Sequence, residues 1–235
     1  MKSSQSKDID AIMGRLDQWV QQRGSGHYIP ADFVSTADSD FSLPEDHGIQ
    51  QVREEIRDFA LFLLGHQRTH RALEIGLGYF GSTHFLWRQI FDHISTIEYQ
   101  KDRIFGFREN CRKFFGEHVL SDGISSFFFG YSSATGTLKS VTEYFKKQGP
   151  LDMLFIDGDH RYEGVLADWL LYKHLVSPGG IVAFHDAASG ISEAGVPRLL
   201  RELSEGSIDG IKRNIQRIVR SRDCGIAYYI QTDQK

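Results

Sequence analysis

Two short stretches of this 235-residue chain concentrate side chains able to move protons or hold a cation. Residues 151–163 read Leu-Asp-Met-Leu-Phe-Ile-Asp-Gly-Asp-His-Arg-Tyr-Glu, an apolar run ending on Asp157, Asp159 and His160. Residues 180–186 read Gly-Ile-Val-Ala-Phe-His-Asp, a second apolar run ending on His185 and Asp186. Three carboxylates gathered at one place repel one another unless a proton or a cation stands between them, so a divalent metal is the economical expectation. Oxygen ligands from Asp157 and Asp186 suit Mg²⁺ with retained waters, and an imidazole at His185 would accept Mn²⁺ or a later transition metal. The competing reading makes Asp157 and Asp159 simple helix caps and His160 a packing residue.

A third stretch, Glu74-Ile-Gly-Leu-Gly-Tyr-Phe-Gly81, places Gly76, Gly78 and Gly81 in the spacing G-x-G-x-x-G. Such a loop between a strand and a helix turns tightly, lets a ligand approach the backbone and aims free N–H groups at it. Glu98 follows Gly78 by 20 residues, where a carboxylate can accept hydrogen bonds from both ribose hydroxyls of a nucleoside. Those features suit a nicotinamide dinucleotide and S-adenosylmethionine alike. Glu74 favours the latter, because its charge is poorly placed beside a pyrophosphate and well placed for the ammonium of a methionine tail. At contact distance the difference in sign is worth roughly 1–4 kcal/mol.

These groups require elements that deliver them to one end of a sheet. Short apolar segments alternate with helical periodicity, the pattern of a mostly parallel sheet covered on both faces. The predicted strands are 72–75, 93–97, 126–131, 151–156, 180–184 and 225–231, with helices at 9–22, 49–64, 82–91, 100–115, 135–148, 162–175 and 197–205. Phe127, Phe128 and Phe129 read as a buried strand, and Tyr162 and Trp169 as helix packing. Residues 28–44 have no clean period and read as an irregular lid, while 190–196 reads as a loop bordering an acceptor pocket. The chain divides into an N-terminal helical extension, 1–68, and a cofactor-binding domain, 69–235.

The segment A-L-E-I-G-L-G-Y-F-G-S-T resembles the first motif of class I S-adenosylmethionine-dependent methyltransferases. I-D-G-D-H-R-Y-E-G-V-x-x-D followed by S-P-G-G-I-V-A-F-H-D is similar to the small-molecule O-methyltransferases of antibiotic and sugar biosynthesis, of macrolide, aminocoumarin and cephalosporin-pathway type. The resemblance extends over about residues 70–230. It implies an α/β, doubly wound, Rossmann-like fold with a mostly parallel seven-stranded sheet and helices on both faces. It further implies S-adenosylmethionine as methyl donor, and a hydroxyl of a sugar or natural-product intermediate as acceptor. Matched position by position, Asp157 and Asp186 become Mg²⁺ or Mn²⁺ ligands, and Asp159 the base, with His160 or His185 behind it. His185 stands where many relatives carry an acid. Where the family ends its third strand on Gly-Asp, this chain has Gly130-Tyr131-Ser132-Ser133, which leaves Ser132 or Ser133 as the candidate hydrogen-bonding group. The cofactor-side set is then Glu74, Gly76, Gly78, Tyr79, Gly81, Ser82, Glu98, Tyr99, Ser132 and Asp157.

A net charge of −4 provides no broad basic field for nucleic acid. The basic run Lys212, Arg213, Arg217, Arg220 and Arg222 reads as a solvated helix face. No apolar stretch approaches the roughly 18 residues of a membrane span, the start lacks a signal-peptide core, and Cys111 and Cys224 lack metal-binding spacing. The expectation is a cytoplasmic enzyme with a small-molecule partner, no membrane partner, and scope for a homo-oligomer. An NAD(P)-dependent oxidoreductase and a catalytically silent cofactor-binding scaffold are the alternatives.

Overall fold

The computed structural model describes residues 8–33, 48–116, 121–188 and 195–232. Residues 34–44 of the expected lid and 190–194 of the expected 190–196 loop lie outside the described residues. The elements run α1 Ile9–Val20, α2 Arg53–His66, β1 Arg71–Ile75, α3 Ser82–Ile90, β2 His93–Glu98, α4 Lys101–Phe115, β3 Ser125–Phe129, α5 Thr135–Gln148, β4 Leu151–Ile156, α6 Tyr162–Tyr172, β5 Val176–Phe184, α7 Gly195–Glu205, β6 Gln216–Ile218 and β7 Ile226–Ile230. The sheet has seven strands in the order β3-β2-β1-β4-β5-β7-β6, parallel except where β7 pairs with β5 and β6. Chain order reverses between β1 and β4, which opens a crevice beyond their carboxyl ends.

Strand parity sorts the side chains into two cores. Ala72, Met153 and Phe155 pack with α1–α4, whereas Leu73, Ile75, Leu154 and Ile156 pack with α5–α7. Because helices cover both faces, every residue of β4 is buried, which explains why it is apolar at every position but Asp152. The three phenylalanines of β3 depart from expectation. β3 is an edge strand, so Phe127 and Phe128 are half-buried and Phe129 is exposed.

Two further departures matter for the site. α2 begins at Arg53, not at 49, with Val52 in an extended conformation ahead of it, so residues 48–52 run as an irregular segment beside the crevice. The basic run is not a helix. Arg217 lies in β6 and donates to the Ala187 carbonyl, Arg213 pairs with Asp209, and Arg220 pairs with Asp58. The carboxylate of Glu55 holds this C-terminal stretch by accepting from the Arg220 N–H, the Ser221 hydroxyl and the Gly225 N–H.

Trp19 fastens α1 to the crevice. Its ring stacks on Phe85 of α3 at 4.6 Å, and its indole N–H donates to Ser82 Oγ at 3.0 Å. Ser82 Oγ in turn donates to the Gly48 carbonyl at 2.6 Å, which fixes the irregular segment against the start of α3. On the opposite face Asp168 of α6 lies beneath the turn after β4 and hydrogen-bonds Ser132. Burial pushes its carboxyl up to about 7, helped by the charge of Asp159 and opposed by Ser132.

Trp19→Ala removes a fully buried ring and should lower the unfolding free energy by about 3–5 kcal/mol in urea titration. A loss under 1 kcal/mol would show that α1 is peripheral. For Asp168 the folded protein retains a proton up to about pH 7, while an ordinary aspartate releases it near 3.8. The folded state therefore binds more protons across that window, and stability falls as pH rises through it. Asp168→Asn should match the parent protein near pH 4 and exceed it in melting temperature at pH 8. A pH-independent difference between the two would contradict this.

Candidate active site

A cavity of about 730 Å³ opens where β1, β4 and β5 end. One wall is the loop joining β1 to α3. Gly76 has φ +94°, and a Cβ there would lie 2.1 Å from the Asp157 carbonyl oxygen, so only glycine permits the two strand ends to approach. Gly81 takes φ +63° as the N-cap of α3, with Phe107 occupying the space of a side chain. Glu98 closes the end of β2. Its oxygens accept the Leu77 and Gln100 backbone N–H groups at 3.0 and 2.8 Å, which moors the glycine loop and leaves each oxygen a second lone pair. Arg103 lies over the Tyr79 ring at 4.3 Å, and Tyr99 stacks with Tyr131 at the rim.

Beside this wall Asp157, His160, His185 and Asp186 form a closed quartet in which imidazoles and carboxylates alternate. His185 Nδ1 lies 3.2 Å from Asp157 Oδ1 and 3.1 Å from Asp186 Oδ1. His160 Nε2 lies 3.5 Å from Asp157 Oδ1, and its Nδ1 lies 3.1 Å from Asp186 Oδ2. Burial pulls the His160 imidazolium down, but Asp186 and Asp157 outweigh it and raise the group to about 9. The same balance lifts His185 well above its ordinary value. Burial pushes Asp157 up, yet His185 and His160 hold it below the usual carboxylate range, and Asp186 is held low in the same way. Asp186 carries φ +56°, a left-handed conformation that aspartate tolerates better than most side chains. The neighbouring Ala187 and Ala188 amides bond to Gly225 and Cys224, which locks it there.

The expected residues divide clearly. Gly76, Gly78, Tyr79, Gly81, Ser82, Glu98, Tyr99, Ser132, Asp157, Asp159, His160 and His185 all line the cavity, and Asp186 lies immediately behind it. Glu74 does not line it. Its carboxylate is fully buried, accepting from Trp87 Nε1 at 3.1 Å and Thr96 Oγ1 at 2.7 Å beneath α3. Strand parity turns residue 74 to the face of Ala72, so the assignment of Glu74 to a methionine ammonium is withdrawn. The Ser82 hydroxyl is engaged by Gly48 and Trp19, which leaves its backbone rather than its side chain for a ligand.

Asp159 also differs from its expected part as the base. Arg161 grips both its carboxylate oxygens, and this pairing lowers its proton affinity. Only two carboxylates therefore meet at the strand ends, and histidines already separate them. Charge repulsion thus no longer calls for a metal. Donor chemistry still suits one: Asp157, His160 and Asp186 offer ligand atoms within 4.8 Å of one another, as do His185, Asp186 and Cys224. His185 Nε2 is buried with no hydrogen-bond partner among the described residues, and Asp186 Oδ2 is buried with its ion-pair contact to His160 Nδ1.

Sequence reasoning missed Gln51, Arg103 and Tyr131, which all line the cavity. Arg103 could have been found from its place in the first turn after Glu98. Gln51 was hidden by reading an unbroken helical period from 49 onward.

Residues 73–187 match a family model described as a methyltransferase domain. A 36-residue segment is 50% identical to Uncharacterized protein R132 of Acanthamoeba polyphaga mimivirus, spanning 15% of this chain and 16% of that protein. Among solved structures, the O-methyltransferase TomG from Streptomyces achromogenes in complex with SAM is 17% identical with a TM-score of 0.59, covering 99% of this chain and 100% of that one. Cofactor-bound Rv0187 from MTB is 17% identical at TM-score 0.58, covering 99% and 94%. The O-methyltransferase from Bacillus cereus in complex with SAH is 17% identical at 0.55, covering 94% and 91%. At such identities the structural likeness concerns the fold, and it agrees with the strand order, the glycine loop and the family match. Residues 73–187 thus match a methyltransferase domain, and the fold of the chain resembles that of these cofactor-bound structures.

Proposed function

We propose that the chain transfers the methyl group of S-adenosylmethionine to a hydroxyl oxygen of a small molecule, a sugar or natural-product intermediate, with a divalent cation at the quartet. The observation that carries this reading is the histidine–carboxylate quartet set beside the glycine loop at one cavity. At about 730 Å³ the cavity falls within the roughly 300–1,000 Å³ typical of small-molecule sites. Two of the similar structures are named O-methyltransferases, which supports oxygen as the acceptor atom.

The acceptor oxygen must displace sulfur from the methyl carbon in line, forming the O–C bond as the C–S bond breaks, while its proton passes to a side chain. The glycine loop and Glu98 hold the nucleoside, and positioning of this kind can supply up to roughly 7–11 kcal/mol. His160 is the side chain placed to take the proton once it has lost its own: raised to about 9, it serves as base toward alkaline pH or where a bound cation would offset the charges of Asp157 and Asp186. It reaches the cavity with 28% of its side chain exposed, whereas His185 is 2% exposed and Asp159 is occupied by Arg161. Asp157 and Asp186, with the His185 imidazole, would hold Mg²⁺ or Mn²⁺ and leave His160 for the proton. Such an ion, when bound, lowers the pKa of a coordinated hydroxyl and anchors it. Asp186 sits between His185, whose N–H donates to Ile156 of β4, and Ala187 and Ala188, whose N–H groups donate to Gly225 and Cys224.

The reading predicts transfer of labelled methyl to at least one member of a panel of phenols, sugars and glycosides. Asp157→Asn should abolish turnover, and His160→Gln should lower kcat by about 10²–10⁴. Asp159→Asn should fall by less than ~10-fold, because that carboxylate is engaged by Arg161 outside the quartet. Equal losses at 159 and 160 would contradict the assignment of the base. Full turnover of metal-stripped protein in EDTA would remove the cation from the scheme.

A further inference from the structure

Gln51 belongs to the segment ahead of α2, outside residues 73–187, and is 1% exposed. Its side-chain amide donates from Nε2 to Asp157 Oδ2 at 3.1 Å. A carboxylate can only accept that bond, so the amide's orientation is fixed and Oε1 is left as its unpaired end. Oε1 is buried and has no hydrogen-bond partner among the described residues, although Gln51 lines the cavity. Its backbone is held as well: the Gln51 carbonyl accepts the Ile29 N–H, and Gly48 is fastened to Ser82 and Trp19. A buried amide oxygen without a donor is costly to keep, and a fixed one beside a carboxylate is matched to a ligand with several N–H bonds.

We propose that Gln51 is a cofactor-binding residue whose Oε1, together with Asp157, accepts the ammonium of the methionine tail of S-adenosylmethionine. The proposal rests on that molecule being the methyl donor. It fills the part that Glu74 cannot take. Gly76 lies against Asp157, and Gln50 Oε1 is the nearest atom to the position of a Cβ on Gly78, so residues 48–51 roof the loop along which the tail must run. The tail's carboxylate would be repelled by Asp157 and is better served by free N–H groups at the start of α3. The ammonium is left for Asp157 and Gln51.

The test compares two ligands by calorimetry. S-adenosylhomocysteine carries the amino acid tail, while 5′-methylthioadenosine retains the nucleoside and sulfur without it. Gln51→Leu should weaken S-adenosylhomocysteine by about 10- to 100-fold and leave methylthioadenosine within about 2-fold. Gln51→Ala, measured alongside, should show the same selectivity without the bulk of leucine. Equal weakening of both ligands would assign Gln51 a purely structural part and overturn the proposal. Unchanged binding of both would exclude the contact. Parent protein that binds neither ligand would overturn the cofactor assignment itself, and this inference with it.

Discussion

The organisation of the site depends on one carboxylate that faces two ways. Asp157 Oδ1 is turned to His160 and His185, while Oδ2 receives the amide of Gln51. Its backbone carbonyl closes against Gly76, and its backbone N–H donates to Ile75. One residue at the end of β4 therefore ties the glycine loop, the acid–imidazole quartet and the N-terminal extension together. A single charge there bears on the donor side and the acceptor side of the cavity at once.

The sheet order explains how this is achieved. Placing β4 beside β1 puts Asp157 against the glycine loop, and placing β5 beside β4 brings His185 and Asp186 to the other side of the same carboxylate. The extension closes the arrangement by a different route, through Trp19, Ser82 and Gly48. α1 and α2 share the core of β1, β4 and α3, so the described part of the chain ahead of residues 73–187 is built into the same interior.

Much of this was legible because it follows from local pattern. The alternation of apolar strands and helices, the glycine spacing and the two acidic strand ends all depend on neighbours in sequence, and β4 and α5 fall where periodicity put them. What was not legible depends on partners far away. Glu74 has the type and spacing of a ligand contact, but the donors Trp87 and Thr96, 13 and 22 residues on, claim its carboxylate in the core. Asp159 is taken by Arg161 only once the turn after β4 has its shape. The exposed ring of Phe129 follows from β3 being an edge strand, which its own composition does not reveal. Gln51 escaped notice because the apolar period of α2 runs back through Ile49 and Val52 while the helix itself starts at Arg53.

The most direct measurement is a crystal structure of the protein with S-adenosylhomocysteine and Mg²⁺. The account predicts the adenosine between the glycine loop and Glu98, the amino acid tail against Gly76 and Asp157, and the sulfur facing the quartet. A cofactor bound in the reverse sense, with its sulfur turned away from His160 and its tail remote from Asp157, would contradict it.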